Sequence, residues 1–256
     1  MSSNDCLPNV VLIAGGTQGL GKGIALHLAN IGIKKLIICG RNEENGKRVI
    51  QAIQKMGCKA YFVKADLSKV SECREVYKFC AMHFPFIDGL VYSAGVTDRG
   101  TIETTTEIVW DKIFNINLKG AFFLIQEILP LLKKGTGRSI TTICSFSWYC
   151  GRPEMIAYNA SKAGLATFTR SLANSLKGEK IRANGINIGW TDTDNERKLH
   201  KELGNAETWL DDVGKNLPFG RLIQPHDIAY LVEFLLSTKS EMMTGSIIDF
   251  NQQVRM

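Results

Sequence analysis

Proline is scarce, 6 in 256 residues, and no low-complexity tract or periodic glycine interrupts the chain. Collagen-like and disordered architectures are thereby excluded. The seven cysteines (Cys6, Cys39, Cys58, Cys73, Cys80, Cys144 and Cys150) include no C-x-x-C pair and are odd in number, so they do not spell a disulfide framework. Most sit in apolar runs such as Ile37-Ile38-Cys39, the setting of buried thiols in a reducing compartment. The four histidines (His27, His83, His200 and His226) are scattered and none completes an H-x-x-x-H or H-x-x-E spacing, so no metal is expected. Apolar residues never run long enough to span a bilayer, and Met1-Ser2-Ser3-Asn4-Asp5 lacks the basic start of a secretory leader. No membrane partner is expected, and the cytoplasm is the expected location.

Charge is plentiful but unpatterned. Lysine and arginine number 31 against 25 aspartates and glutamates, with nothing denser than pairs such as Lys34-Lys35 and Lys133-Lys134. This describes a solvated surface and argues against a nucleic-acid partner. With 45% hydrophobic residues the chain can bury a large core. Its length suits one α/β domain, residues 1–256, and no linker divides it.

Short β-branched runs alternate with helical patterns from end to end. Val10-Val11-Leu12-Ile13, Leu36-Ile37-Ile38, Ala60-Tyr61-Phe62-Val63 and Ile87-Asp88-Gly89-Leu90-Val91 are each followed by a segment with helical spacing. Runs that are mainly apolar, without strict alternation, imply strands covered on both faces. The order β-α-β-α therefore predicts an α/β fold: a doubly wound, Rossmann-like parallel sheet with helices on both faces. Two long helical patterns stand out, over residues 106–133 and 157–177. Strands are expected over residues 139–143 and 181–188, a helix opened by Pro225 and ending near Leu236, and a last strand by Phe250. Residues 190–221 break the rhythm and predict a mobile cover over a site.

Directly after the first strand comes Ala14-Gly15-Gly16-Thr17-Gln18-Gly19-Leu20-Gly21, with a helical pattern behind it. Glycines there let the backbone turn sharply and approach a pyrophosphate, whose charge meets the N–H groups of the new helix. The second strand ends Cys39-Gly40-Arg41-Asn42, with no carboxylate for an adenosine 2′-hydroxyl. Arg41 either forks onto a 2′-phosphate, favouring NADP(H) over NAD(H), or simply caps a strand end.

Tyr158 and Lys162 are four residues apart at the start of a helical pattern, so they share a face. A phenol with a pKa near 10 is a poor proton catalyst at neutral pH, and an adjacent ammonium is expected to lower that value. Ser145 ends the preceding strand and Asn117 lies in the first long helical pattern.

With these residues in order, the chain resembles the short-chain dehydrogenase/reductase family, in its branch of roughly 250 residues, over almost its whole length. The resemblance implies a sheet of about seven strands and a catalytic tetrad of Asn117, Ser145, Tyr158 and Lys162. It implies a glycine turn at Gly15, Gly19 and Gly21, with Thr17, Gln18 and Leu20 between them, and an adenine contact at Asp66-Leu67. Ser93-Ala94-Gly95 matches the family's N-[NS]-A-G segment, and Gly189, Thr191 and Thr193 match its nicotinamide-gripping segment. Tyr92, Ile188 and Ala14 depart from the family pattern, and Gln18 stands where NADP-preferring members often carry a basic residue.

The implied reaction is reversible hydride transfer between NADP(H) and a small alcohol or carbonyl substrate. Tyr158 donates the proton, Ser145 binds the carbonyl oxygen, Lys162 binds the nicotinamide ribose, and Asn117 holds a water. Trp148, Tyr149 and Trp190 either wall a substrate pocket or pack the interior, and Arg152 either meets an anionic substrate or pairs with Glu154. Relatives also imply a homo-tetramer, or a dimer, built on the long helices, with Phe122, Phe123 and Phe168 on their outward faces. The rivals are a catalytically silent nucleotide sensor on the same fold and an epimerase or dehydratase, the latter usually having a longer substrate domain.

Overall fold

The computed structural model describes residues 7–253, so Cys6 and the opening Met1-Ser2-Ser3-Asn4-Asp5 stretch lie outside the described residues. Val10–Ala14 (β1) leads into Gly19–Asn30 (α1), and the alternation continues through Lys35–Gly40 (β2), Glu43–Lys55 (α2), Lys59–Lys64 (β3), Val70–His83 (α3) and Gly89–Tyr92 (β4). Glu107–Phe114 (α4), a π turn over Asn115–Lys119 and Gly120–Leu132 (α5) precede Ser139–Ser145 (β5). The short turn Ser147–Cys150 (α6) and the long Ile156–Leu176 (α7) come next. Arg182–Ile188 (β6), Asp194–Glu202 (α8), Trp209–Lys215 (α9), Pro225–Leu236 (α10) and Ile247–Phe250 (β7) complete the order.

The strands form one parallel sheet in the order β3-β2-β1-β4-β5-β6-β7. All five residues of β1 and all seven of β5 are buried, as strands covered on both faces must be. Alternate residues feed two cores. Val10, Leu12 and Ala14 pack with α3, α5 and α7 on one face, while Val11 and Ile13 pack with α1, α2 and α10 on the other. The strand order reverses between β1 and β4, and that reversal opens a crevice at the carboxyl ends of the strands.

Two local expectations are revised. Residues 106–133 are two helices joined by a π turn, which adds a residue to one turn without disturbing the apolar stripe that the sequence displays. Ile87 and Asp88 precede β4 instead of forming it. The buried Asp88 carboxylate accepts from the backbone N–H of Asn9, Val10 and Thr136, tying the amino ends of β1 and β4 to the turn before β5. Residues 190–221 contain α8 and α9, and ring contacts of Trp209 with Trp190 and His200 join them. The Thr193 hydroxyl caps α8 by accepting from Glu196 N.

Among the described residues no helix is long and apolar enough to cross a membrane, and no group of three potential metal ligands occurs. Six described cysteines are free thiols, five of them buried; Cys150 is exposed.

Candidate active site

The glycine turn joins β1 to α1 at the crevice. Gly15 has φ +79° and Gly19 has φ +52°, left-handed values that glycine adopts without strain. A Cβ on Gly21 would lie 2.2 Å from the Gly15 carbonyl oxygen, so the turn closes only without a side chain there. Gln18 is the N-cap of α1 but its side chain makes no capping bond, which leaves the first N–H groups of the helix for another acceptor.

A cleft of about 700 Å³ runs from this turn along the carboxyl edge of the sheet. Gly15, Thr17, Gln18, Gly19, Leu20 and Gly21 line one end, with Arg41, Asp66 and Leu67 beside them. Ser93, Ala94 and Gly95 form its floor, and Gly189, Trp190, Thr191 and Thr193 close the far side. Arg41 is exposed at the end of β2. The buried Ser93 hydroxyl lacks a hydrogen-bond partner among the described residues, an orphan that a ribose or phosphate oxygen would satisfy. Volume, glycine cradle and unpaired donor together fit a dinucleotide.

Ser145, Tyr158 and Lys162 all line this cleft. Ser145 comes from the end of β5, whereas Tyr158 and Lys162 lie one turn apart on α7, 8% and 5% exposed. The Tyr158 phenol shares a hydrogen bond with Ser145. Ser147 Oγ stands 2.9 Å from Ser145 Oγ and donates to Asn159 Oδ1 at 2.8 Å. Neither Ser147 nor Asn159 belongs to the expected set; the adjacency of Asn159 to Tyr158 was their only sequence signal. Lys162 donates from Nζ to the carbonyl of Ile143 at 2.7 Å.

The expected acidification of Tyr158 by Lys162 is not what the chain alone produces. Burial pushes the phenol up to about 12, opposed by its bond with Ser145, and burial pushes Lys162 down to about 8. Desolvation is the largest cause for both groups, because both the phenol and the ammonium are out of water.

Asn117 lies in the π turn and does not line the cleft. Its Oδ1 accepts from Val96 N at 2.9 Å, and its Nδ2 donates to Val96 O and Ser161 Oγ, both at 3.0 Å. A Cβ on Gly95 would stand 3.3 Å from both Asn117 Oδ1 and Lys162 Nζ, so glycine keeps that space free. Tyr92, where the family pattern has asparagine, is fully buried and donates its hydroxyl to the carbonyl of Ile116 in the π turn at 2.6 Å.

Trp148 and Tyr149 do not line the cleft, which leaves packing as the alternative for them. Trp148 Nε1 donates to Asn187 Oδ1 at 3.1 Å, and Asn187 Nδ2 donates to the Tyr149 hydroxyl at 3.0 Å, so the single turn of α6 directs both side chains toward β6. Trp190 does line it, and its Nε1 donates to Glu196 Oε1 at 2.7 Å. Arg152 does not pair with Glu154; its guanidinium lies 5.9 Å from the Trp190 ring centre. Glu196, Arg99 and Cys150 also line the cleft and carry no motif that would have singled them out.

A sequence profile described as short chain dehydrogenase matches residues 9–204. An uncharacterized oxidoreductase of Thermotoga maritima is 34% identical over 94% of this chain and 95% of its own length. A 3-oxoacyl-(acyl-carrier-protein) reductase, FabG, of Staphylococcus epidermidis is 29% identical over 94% of this chain and 96% of its own. Among solved structures, the RhlG/NADP active-site complex of Pseudomonas aeruginosa superposes with a TM-score of 0.87 at 26% identity, covering 97% of this chain and 96% of that one. The chain belongs to the short-chain dehydrogenase family and is an oxidoreductase that moves hydride between a nicotinamide cofactor and a carbonyl or hydroxyl group.

Proposed function

We propose that the protein is an NADPH-dependent reductase of a small carbonyl compound, working reversibly. The convergence of Ser145, Tyr158 and Lys162 beside the glycine turn carries this reading. NADPH bound there supplies the hydride. Ser145 Oγ donates to the carbonyl oxygen, and Tyr158 delivers its proton as negative charge develops on that oxygen. A phenol pushed up to about 12 is protonated at neutral pH, the form that reduction requires. Lys162 engages the nicotinamide ribose, and Asn117 Oδ1 and Lys162 Nζ flank a water position over Gly95 that resupplies the proton.

Cofactor seating is read from the chain's own groups. The turn from Gly15 to Gly21 takes the pyrophosphate, Asp66 and Leu67 the adenine, and Gly189, Thr191 and Thr193 the carboxamide. Arg41 has no carboxylate beside it in β2 and suits the 2′-phosphate. The NADP complex of RhlG supports the same preference. Residues 190–221 act as the substrate cover of a single domain, and Trp190 forms part of the pocket wall. The half-exposed Phe122, edge-on to Phe123 and tilted against Phe168, supports a homo-oligomer through α5 and α7, a tetramer by the family pattern. Free buried thiols support a cytoplasmic location.

Consumption of NADPH with a panel of ketones and aldehydes tests the reading. Tyr158→Phe is expected to cut turnover by roughly 10²–10⁴ while fluorescence titration shows NADPH still bound. Binding without turnover in the wild type, or an active Phe variant, would sink it.

A further inference from the structure

Besides Arg41, two arginines line the cleft, and neither donates a hydrogen bond to a carboxylate: Arg99 has only a long ion pair with Glu154, and Arg152 has none among the described residues. Arg99 lies on the loop after β4 and Arg152 on the loop after α6, and the two loops are zipped together. Gly100 N donates to the carbonyl of Glu154 at 2.9 Å, and Gly100 and Met155 form a parallel bridge. Arg99 Nε is buried and lacks a hydrogen-bond partner among the described residues. Its nearest carboxylate, on Glu154, stands 3.7 Å from Nη1, outside hydrogen-bond reach. Arg152 rests against the Trp190 ring instead of a carboxylate.

The acidic groups on this side of the cleft are engaged elsewhere. Asp98 is paired with Lys112 at 2.5 Å. Glu196 accepts from Trp190 Nε1 and stands 3.3 Å from His200 Nε2. Both carboxylates thus have partners of their own, while the guanidinium groups of Arg99 and Arg152 keep donors that no carboxylate takes by a hydrogen bond. A buried guanidinium N–H with nothing to bond carries a desolvation cost that an anionic acceptor relieves, and the planar fork fits paired oxygens.

We propose that Arg99 and Arg152 form an anion subsite next to Ser145 and Tyr158, so that the substrate is a carbonyl compound carrying a carboxylate or phosphate. The inference rests on the reductase reading, because the anion is placed relative to the carbonyl held by Ser145. One part of the substrate reacts at the tyrosine while its charged end, held by the arginines, fixes its direction of entry.

The test compares NADPH-dependent reduction of 3-keto acids of four to ten carbons with that of their methyl esters, and of dihydroxyacetone phosphate with that of dihydroxyacetone. The wild type should prefer an anionic member by roughly tenfold or more in kcat/KM. That preference should collapse in Arg99→Gln and Arg152→Gln with the KM for NADPH unaltered, and the pair that shows it separates carboxylate from phosphate. Turnover of the neutral compounds with no anionic preference would overturn the subsite and leave the reductase reading intact. Should no compound turn over, calorimetry of acetoacetate and inorganic phosphate on the NADPH-loaded protein decides: binding lost in both variants supports the subsite, and binding that is absent, or equal in the variants, overturns it.

Discussion

Lys162 donates from Nζ to the carbonyl of Ile143 at 2.7 Å and stands 5.9 Å from the ring centre of Tyr158. The ammonium is thus anchored to the sheet and buried, and its pKa falls from the ordinary lysine value to about 8. Between about pH 8 and the ordinary lysine value the unfolded chain holds a proton that the folded chain has released, so stability from this group is gained as pH rises and lost as pH falls through 8. Carrying the charge at pH 7 costs the fold about 3 kcal/mol, against about 1 kcal/mol for the bond to Ile143. Lys162→Met should therefore melt a few degrees higher than the wild type at pH 7, lose that advantage near pH 10.5, and be inactive. Thermal melts across that range check the sign; a variant less stable at pH 7 contradicts it.

Tyr92 replaces the asparagine of the family pattern and holds the carbonyl of Ile116 in the turn that carries Asn117. Tyr92→Phe removes only the hydroxyl, in a fully buried place where no water replaces it. The expected loss is about 1–3 kcal/mol in denaturant unfolding. A severalfold fall in kcat, larger than any change in the KM for NADPH, should accompany it, because the π turn carries Asn117.

The glycine turn, the strand runs and the Tyr158/Lys162 spacing were legible because each is local: a short period, a turn chemistry, or two residues one helical turn apart. Trp148 and Tyr149 were not, since which way a single turn points its rings depends on Asn187 of β6, nearly forty residues away. The π turn was hidden for a different reason. One extra residue in a turn leaves the apolar stripe of residues 106–133 almost unbroken. Likewise, the ionisation of Tyr158 follows from how deeply the phenol and its lysine are buried together, a property of packing that spacing does not contain.

Arg41 is the group on which the proposed preference for NADPH rests. It is exposed at the cleft and has no hydrogen bond or ion pair among the described residues, so its removal should leave the fold undisturbed. Arg41→Ala should raise the KM for NADPH by roughly 10- to 100-fold, the worth of a charge-assisted pair, and leave the KM for NADH nearly unchanged. Steady-state kinetics with both cofactors check this, and a parallel change in both would mean that Arg41 only caps its strand.

Arg197 fastens the proposed cover. Its Nε and Nη2 donate to the two oxygens of Asp192 at 2.8 and 2.7 Å, and Nη2 also reaches Asp211 Oδ1 at 2.7 Å, joining the segment beside the cleft to α8 and α9. Bonding to Arg197 holds the Asp192 carboxyl below its usual range, so this fastening should weaken only when that carboxylate is protonated well into acid. Because Thr191 and Thr193 flank Asp192, loosening it frees the wall of the cleft and leaves the reacting groups on β5 and α7 in place. Arg197→Ala should raise the KM for the carbonyl substrate several-fold more than it lowers kcat, and speed proteolytic cleavage within residues 190–221. Limited proteolysis with and without NADPH reads the second effect. Equal cleavage of variant and wild type would show that the ring contacts of Trp190, His200 and Trp209 hold the cover without the ion pair.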